Sequence, residues 1–321
     1  MTGAWVTAGV DLGGTKIQTV IVREGAVVGR ARVLTPQTGV SRDVIDAIVG
    51  TIHTSLGQAN ASQADLAGVG IGTPGEVDAT AGAVLLAANL PGFSARVELG
   101  PLVSNALGGA RVKLGNDVNV ALLGEHTRGA ARPFTDVLGA WVGSGVGGGL
   151  IFGGALRDGR GAVGELGHMV AKPGGLLCSC GRRGCVEAYA GRVRMERRAR
   201  SLVKRGQKTN LFRIMEERGR KRLTSGVFAA ALESGDRMAK RLIEDAAWAL
   251  GLGLASAQNL LDLEAIVVGG GLGDRLGQPF VDRIVEHMTP HLFAPSRPPT
   301  VLRTELGDLS GAVGAAVLAG G

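Results

Sequence analysis

Two stretches of the sequence place short hydrophobic runs on either side of a glycine-rich turn. Residues 6–22 read VTAGVDLGGTKIQTVIV, and residues 137–154 read VLGAWVGSGVGGGLIFGG. β-Branched residues flanking a glycine turn are typical of a β-hairpin, so each stretch predicts two strands rather than a strand followed by a helix. The second turn lies 132 residues after the first, counted from Gly13 to Gly145. This repeat predicts two related α/β domains, with a boundary near residue 118.

The remaining pattern predicts helices and strands in alternation. A helix is expected after Ser41, with Ser41 as its N-cap, because an apolar stripe at helical spacing follows. Further helices are predicted over 119–128, 186–205, 225–234, 236–262 and 310–320. Further strands are predicted over 66–75, 110–114, 265–271 and 301–303.

Composition narrows the class of protein. Hydrophobic residues make up 45% of the 321 residues, which excludes an intrinsically disordered chain, and glycine is unusually frequent at 54 residues. The longest uncharged stretch, 137–156, contains too many glycines for a membrane helix. The first residues lack the charged and apolar regions of a secretory signal, so a cytoplasmic protein without a membrane partner is expected.

Positive charge is concentrated in one segment. The net charge is +7, yet residues 182–222 alone carry 15 Lys or Arg and 4 Asp or Glu. The segment is interpreted either as solvated helix faces or as a surface that attracts a polyanion such as nucleotide, polyphosphate or nucleic acid. Only Tyr189 and Phe212 are aromatic there, which argues against a base-stacking surface.

The pattern GxGxxG occurs at 70–75 and at 143–148. A dinucleotide-binding fingerprint requires a helix after the glycines, and a strand follows the second copy, so that interpretation fails. The two glycine hairpins instead suit phosphate oxygens, which approach closely where no Cβ intervenes. Thr15, Lys16 and Ser144 would add donors, and Asp11 would hold Mg²⁺ or a bridging water. Two tight hairpins without a ligand remain the alternative.

Three cysteines cluster at positions 178, 180 and 185, and His168 lies ten residues upstream. Three thiolates and one imidazole form a closed tetrahedral zinc set, so the metal is expected to be structural. Three reduced cysteines in a loop are the alternative. Glu165 and Glu187 flank the cluster, and carboxylates on a pinned loop suit the hydroxyls of a polyol.

The segment LGNDVNVALLGEH places Asn116 and Asp117 at the end of a strand that leads into a helix, where active-site groups of α/β folds gather. Beside two phosphate-binding turns, Asp117 is a candidate general base toward an attacking hydroxyl, which Asn116 would orient. Helix N-cap is the alternative role for Asp117. Asn89, in AANLPGF, is a further substrate contact or simply a turn former.

Taken in order, these motifs resemble the ROK family of sugar kinases and sugar-responsive repressors, in particular its bacterial glucokinases. DLGGTK is similar to the family's first phosphate motif and GSGVGGG to its second, with Ser144 where Thr is commoner. CSCGRRGCVE is similar to its zinc signature, and VVGGGLG (267–273) to its adenosine-side motif. The resemblance covers the chain from about residue 8 to the C-terminus. Phe93 departs from it, because many glucokinases have Trp there.

The resemblance implies an α/β fold of the actin/hexokinase-like (ribonuclease H-like) type, with two domains, an interdomain cleft and a structural zinc loop. The small domain would comprise 1–118 plus about 304–321, and the large domain 119–303 with the zinc site. A homodimer or a larger homo-oligomer is also expected.

Roles carry over by position. Asp117 matches the catalytic base. Sugar contacts are implied for Gly75, Asn89, Asn116, Asp117, Glu165, His168 and Glu187. Nucleotide contacts are implied for Asp11, Gly13, Gly14, Thr15, Lys16, Gly143, Ser144, Gly145, Gly147, Gly269, Gly270 and Gly271. Zinc ligands are implied to be His168, Cys178, Cys180 and Cys185.

The implied activity is phosphorylation of a hexose, glucose first, at its 6-hydroxyl by MgATP, with Zn²⁺ as the structural metal. Polyphosphate as donor, another hexose or an N-acetylhexosamine remain alternatives. A transcriptional repressor is disfavoured, and no nucleic acid partner is expected, because the ten residues before Asp11 are too few for a helix-turn-helix.

Overall fold

The computed structural model describes residues 5–87 and 89–320, which alternate between strands and helices. The strands are β1 (Val6–Leu12), β2 (Lys16–Arg23), β3 (Ala26–Leu34), β4 (Leu66–Thr73), β5 (Glu76–Asp78), β6 (Ala83–Leu86), β7 (Val112–Asn116), β8 (Val137–Val142), β9 (Val146–Phe152), β10 (Ala155–Leu156), β11 (Ala265–Gly269) and β12 (Thr300–Arg303). The helices are α1 (Ser41–Gln58), α2 (Leu99–Ala106), α3 (Asp117–Arg128), α4 (Val186–Ala190), α5 (Arg192–Lys204), α6 (Leu211–Glu217), α7 (Ser225–Glu233), α8 (Arg237–Leu261), α9 (Gly270–Leu276), α10 (Gln278–Met288) and α11 (Ser310–Gly320). No helix among them is long and apolar enough to cross a membrane.

The chain divides into two compact units. The first comprises the described residues within Met1–Pro133, Asp158–Gly161 and Asp308–Gly321, and the second comprises Phe134–Arg157 and Ala162–Gly307. Residues 1–4 and 321, which the sequence assigned to the small domain, lie outside the described part of the chain.

The first unit extends past the boundary expected near residue 118, because α3 packs on α11. A Cβ added to Gly314 of α11 would lie 1.7 Å from the backbone oxygen of Val120, and one added to Gly124 would lie 2.4 Å from that of Ser310. Such backbone-to-backbone approach needs glycine on both helices. The contact keeps α3 with the C-terminal helix in one unit.

The sheet of the first unit has the order β3-β2-β1-β4-β7. Strands β1 and β2 form the expected antiparallel hairpin, whereas β4 and β7 run parallel to β1. The carboxyl ends of β1, β4 and β7 therefore meet at one edge of the sheet. Helix α11 lies directly on the strands, since a Cβ on Gly9 or Gly70 would come within 2 Å of a helix carbonyl.

The sheet of the second unit repeats this arrangement in the order β10-β9-β8-β11-β12. Strands β8 and β9 form the second glycine hairpin, and β11 and β12 run parallel to β8. Helix α8 packs its buried face into the core of this unit. The repeat that the two glycine turns predicted is confirmed as two sheets with equivalent strand order.

Several local predictions were wrong. Val40, not Ser41, occupies the N-cap position of α1, and no side chain caps that helix. The helix expected over 186–205 is two helices, because Gly191 between them has an extended conformation. The strand expected to reach residue 271 ends at Gly269, where Gly270, at φ +80°, begins α9. The sequence analysis missed strands β3, β5 and β6 and helices α2 and α6 altogether.

Candidate active site

The first glycine turn joins β1 to β2 and is closed by hydrogen bonds to its carbonyl groups. The N–H of Gly13 donates to the oxygen of Lys16 at 2.9 Å, and the Thr35 hydroxyl donates to the oxygen of Gly13 at 2.6 Å. The Gln37 amide donates to the oxygen of Gly14 at 3.1 Å. With these acceptors occupied, the turn presents the exposed Thr15 at its tip. A turn of this kind suits an anion rather than a cation.

The loop that contains Asn89 packs against this turn. A Cβ on Gly14 would lie 2.1 Å from the backbone oxygen of Asn89, so only glycine fits there. Gly75 has φ +94°, and a Cβ on it would lie 2.2 Å from the backbone oxygen of Leu86. Phe93 in the same loop is fully buried in the core of the first unit. Asn89 is therefore packed against the first glycine turn, and Gly75 is packed against the end of β6, just before the Asn89 loop.

The ammonium group of Lys16 is engaged by an acid that sequence analysis did not single out. Lys16 Nζ forms an ion pair with Asp308 and donates to Gln18 Oε1 at 3.2 Å. Arg32 contacts the other oxygen of Asp308 at 3.2 Å. No local pattern signals this pairing, because Asp308 lies 292 residues further along the chain than Lys16.

Asp11 lies near the carboxyl end of β1, against the start of α11. A Cβ on Gly311 would lie 2.9 Å from Asp11 Cγ. Burial is the main cause that raises the pKa of Asp11 to about 6; Lys16 and Arg32 lower it, and the charges of Asp117 and Asp308 raise it. A carboxylate in this setting is stabilised by a bound cation, which fits the expected Mg²⁺ role.

Asn116 and Asp117 join the end of β7 to the start of α3. Asn116 is the N-cap, and its Oδ1 accepts from the N–H groups of Val118 at 3.0 Å and Asn119 at 3.4 Å. Asp117 is the first helical residue, and its Oδ1 accepts from the Val118 N–H at 2.9 Å. The capping role weighed for Asp117 thus belongs to Asn116. The side-chain NH₂ of Asn116 is the part left to donate to a substrate oxygen.

The second glycine turn, between β8 and β9, is held by the first turn of α5. The Gly143 N–H donates to the Gly145 oxygen at 2.9 Å, and the N–H groups of Arg192 and Val193 donate to the Gly143 and Ser144 oxygens, each at 3.1 Å. The Arg192 side chain also reaches Ser144, with Nη2 3.3 Å from Oγ. The sequence analysis did not identify Arg192 as a site residue.

Glu187, at the start of α4, lies between this turn and the cysteine loop. Its Oε2 accepts from the backbone N–H of Val146 at 3.0 Å, and its Oε1 accepts from the Ser179 hydroxyl. Gly145 must lack a Cβ, which would lie 2.3 Å from Glu187 Oε2. The expected sugar ligand Glu187 is therefore engaged in joining two loops of the second unit.

The ligand atoms of His168, Cys178, Cys180 and Cys185 all lie within 4.8 Å of one another. The sulfurs of Cys180 and Cys185 are 3.7 Å apart, and His168 Nδ1 is 3.8 Å from the Cys178 sulfur. Zinc–sulfur bonds of about 2.3 Å in a tetrahedron place neighbouring sulfurs about 3.8 Å apart. The donor set and its spacing fit a zinc ion, as the sequence predicted.

The thiols of the cysteine loop differ in pKa. The hydrogen bond from Arg182 lowers the pKa of Cys180 to about 6, whereas burial raises the pKa of Cys185 to about 12. Glycine at position 184, with φ +85°, is required because a Cβ would lie 1.7 Å from the Lys172 oxygen. His168 Nε2 lies 3.8 Å from the exposed Glu165 carboxylate, on the side of the ring away from Cys178.

The glycines expected on the adenosine side have packing reasons of their own. A Cβ on Gly269 would lie 2.5 Å from the Thr304 methyl and 3.0 Å from the Trp141 ring, and one on Gly270 would lie 2.7 Å from the Val142 nitrogen. A Cβ on Gly271 would lie 3.3 Å from the Ser225 hydroxyl oxygen. Gly147 pairs with Trp141 in the hairpin.

Two α/β units with equivalent sheets, each with a glycine turn in its first hairpin, define a phosphotransferase of the actin-like two-domain class. The chain belongs to the ROK family, whose family model matches residues 7–321.

Relatives over the full length are sugar kinases. The glucokinase of Thermotoga maritima is 31% identical over 96% of this chain and 95% of its own. The N-acetyl-D-glucosamine kinase of Escherichia coli is 30% identical over 97% of this chain and 98% of its own. The crystal structure of a ROK family glucokinase from Streptomyces griseus, in complex with glucose and AMPPNP, is 33% identical with a TM-score of 0.81, covering 98% of this chain and 99% of that one. The protein is an ATP-dependent sugar kinase.

Proposed function

We propose that the protein transfers the γ-phosphoryl group of MgATP to the 6-hydroxyl of glucose. The observation that carries this proposal is the position of Asp117 at the carboxyl edge of the first sheet, close enough to Asp11 to raise its pKa. One carboxylate suits a hydroxyl proton and the other a magnesium ion. The glucokinase relatives support glucose as the acceptor.

In the proposed step, the carboxylate of Asp117 accepts the proton of the 6-hydroxyl while the oxygen attacks the γ-phosphorus. The new phosphorus–oxygen bond forms as the bond to the β-phosphate oxygen breaks, which yields the sugar 6-phosphate and ADP. The NH₂ of Asn116 donates to the sugar and orients it, because the Asn116 oxygen is held by α3. Positioning supplies much of the rate acceleration in such a reaction.

The phosphates of the donor are proposed to bind the two glycine turns. At the first turn, Gly14 and Thr15 offer backbone and hydroxyl donors, Gly13 allows close approach because it lacks a Cβ, and Lys16 adds positive charge. At the second turn, Ser144 and Gly145 offer donors and Gly143 and Gly147 allow close approach, while 269–271 is proposed to contact the nucleoside. Mg²⁺, held through Asp11, would neutralise charge on the phosphates.

The remaining sugar hydroxyls are proposed to meet Gly75, Asn89, Glu165 and His168. Zinc, when bound, would fix the loop that carries His168, so that Nδ1 serves the metal and Nε2 the sugar. Glu187 is proposed to act on the sugar pocket through this loop as well as by contact.

A coupled assay of ADP release over a panel of sugars tests the proposal. With MgATP, we expect kcat/KM for glucose to exceed that for mannose, fructose, N-acetylglucosamine and N-acetylmannosamine by about tenfold or more, since one extra or displaced group in a fitted pocket has an effect of that size. Phosphorus NMR of the product should show a 6-phosphate. A preference for N-acetylglucosamine, the substrate named for the Escherichia coli relative, would overturn the assignment of glucose.

A further inference from the structure

Several arginines of segment 182–222 are paired with carboxylates of the second unit. Arg198 pairs with Asp245 at 2.6 Å, Arg213 with Glu217 at 2.5 Å, and Arg200 with Glu196 at 2.7 Å. Such pairs are typical of a solvated helical surface.

Arg192 differs from these side chains. Among the described residues, its guanidinium donates one hydrogen bond, to the neutral hydroxyl of Ser144, and its buried Nε has no hydrogen-bond partner. Within 5–87 and 89–320, no carboxylate forms an ion pair with it. Burial, and next the charge of Arg222, lower the pKa of Arg192, and the charge of Glu196 opposes them without an ion pair. A half-buried guanidinium without an acid is an unfavourable arrangement unless an anion completes it.

Arg222 adds a second positive charge beside Arg192. Its Nε lies 3.5 Å from Glu196, but that buried carboxylate also accepts from Arg200 and from the Leu223 N–H at 3.0 Å. One carboxylate is thus shared by two arginines, and Arg222 remains 63% exposed. The pair of Arg192 and Arg222 carries more positive charge than the surrounding acids neutralise.

We propose that Arg192, with Arg222 beside it, binds the phosphoanhydride chain of the donor at the second glycine turn. This inference rests on the proposed placement of the donor phosphates at Ser144 and names a donor-binding residue that the motifs do not include. The contact would involve the phosphates only, so a nucleoside triphosphate and inorganic polyphosphate share the recognised chemistry.

The geometry favours phosphate over sugar as the ligand. Guanidinium presents several N–H donors in a planar fork that matches phosphate oxygens, and charge assistance makes such hydrogen bonds the strong ones. Arg192 is already tied at both its backbone N–H and its Nη2 to the turn that holds Ser144. An anion at that turn would meet a side chain that is ordered in advance, which reduces the entropic cost of binding.

Calorimetric binding of MgAMPPNP to the full-length zinc-loaded protein tests the proposal. Arg192→Gln should weaken binding about tenfold or more, the loss expected for a hydrogen bond to a charged group. The affinity of Arg192→Lys for MgAMPPNP should lie between those of the parent protein and Arg192→Gln. The dependence of Kd on salt should be shallower in Arg192→Gln than in the parent protein. Glucose affinity without nucleotide should stay within about twofold of the parent value.

Arg197→Gln is the matched control. Arg197 lies on the same helix, is exposed and carries the same charge, so its loss should leave MgAMPPNP binding nearly unchanged. Equal weakening by both variants would mean that only the general field matters, and an unchanged Kd in folded Arg192→Gln would overturn the proposal. A loss confined to Arg192→Gln that salt does not alter, together with lost glucose binding, would indicate a brace for the turn and also overturn it.

Two further measurements distinguish ATP from polyphosphate as the ligand, and distinguish this inference from the proposed phosphorylation of glucose. Tripolyphosphate that competes with MgAMPPNP in the parent but not in Arg192→Gln would show that the chain is recognised without the nucleoside; binding of the nucleotide alone would assign the site to ATP. Because binding is read without turnover, failure to phosphorylate glucose would count against the proposed acceptor only. Absence of any MgAMPPNP binding would overturn the inference.

Discussion

The carboxylate of Glu187 accepts a hydrogen bond from the backbone N–H of Val146 at 3.0 Å, at the first residue after the second glycine turn. The other oxygen of the same carboxylate accepts from Ser179, next to the ligand Cys178. One side chain therefore connects the cysteine loop to the proposed phosphate turn. A change in either loop should therefore alter the binding of both ATP and the sugar.

Glu187→Gln should weaken both nucleotide and sugar binding. Glutamine keeps the length but removes the carboxylate charge, so both loop contacts become weaker neutral hydrogen bonds, at a cost of about 1–2 kcal/mol in unfolding free energy. Thermal unfolding and the KM values for ATP and glucose measure this. Glu165→Gln is the control, because the exposed Glu165 touches neither loop contact, and it should raise the glucose KM alone. A change in glucose KM alone for Glu187→Gln would make Glu187 a direct sugar ligand only.

Asp117→Asn should lower kcat by about a hundredfold or more, the usual contribution of a general base, while glucose still binds. The amide is isosteric and its oxygen retains the Val118 hydrogen bond, so the fold should not change. Steady-state kinetics and glucose titration measure the two quantities. Asp158→Asn is the control, since the exposed Asp158 carboxylate accepts from the Asn119 amide at 3.2 Å and an asparagine oxygen can keep that contact, so this variant should be nearly as active as the parent. Retention of a tenth of the parent kcat by Asp117→Asn would refute the base.

The fold was predictable where the pattern is local and periodic. The Gly-Gly turns indicated both hairpins, and the apolar stripe of 236–262 indicated α8. Gly191 and Gly270 were misjudged, because the conformation of a glycine depends on its neighbours in space: Gly270 takes φ +80° where Val142 leaves no room for a Cβ. The extent of the first unit depends on the contact of Gly124 with α11, which no local pattern contains.

The chemistry of the site was predictable from residue types, but its partners were not. Three cysteines and a histidine at short spacing predicted a cluster whose ligand atoms do converge. By contrast, Lys16 was expected to add a donor for phosphate, and it pairs with Asp308 through folding of the C-terminus onto the first unit. Arg192 went unnoticed inside a basic run, where nothing in the sequence separates it from its paired neighbours.

Gly14→Ala should impair both substrates at once. The added Cβ would lie 2.1 Å from the backbone oxygen of Asn89, so the turn and the Asn89 loop must move apart. We expect the KM values for ATP and glucose to rise together, with unfolding destabilised by about 1–3 kcal/mol. Gly50→Ala is the control, because a Cβ there meets nothing within 4 Å and alanine favours the helix. A rise in the ATP KM alone would mean that the Asn89 loop does not take part.

Removal of zinc should destabilise the second unit. A bound zinc ion would link the buried Cys178 and Cys185 and would stabilise this loop where apolar packing does not. A strong chelator should lower the unfolding temperature, raise the glucose KM and make all three thiols reactive, and added zinc should restore each value. Cys185→Ser should bind zinc about a hundredfold or more weakly. Unchanged stability and glucose KM after confirmed metal loss would contradict a structural metal.

Asp11→Asn should stabilise the protein at pH 8 while it abolishes Mg²⁺-dependent activity. Burial raises the pKa of Asp11 from 3.8 to about 6, so the fold favours the protonated acid. The stability from this group is complete below about pH 4 and is lost as the pH rises through 6. Asparagine does not ionise, so the variant should exceed the parent at pH 8 by on the order of 3 kcal/mol, and the difference should shrink toward pH 4.

Thermal unfolding from pH 4 to 8, without magnesium or nucleotide, measures this difference. Asp65→Asn is a control for which the opposite change in stability is expected, because the hydrogen bond from the N–H of Ser62 lowers the pKa of Asp65. Loss of the Asp65 carboxylate should destabilise the protein near neutral pH, and this effect should fade as the pH falls. Addition of MgAMPPNP should reverse the order of parent and Asp11→Asn at pH 8, since the ion stabilises only a carboxylate that can hold it. An Asp11→Asn variant less stable than the parent at pH 8 without ligand would show that the ionised carboxylate is already compensated within the fold.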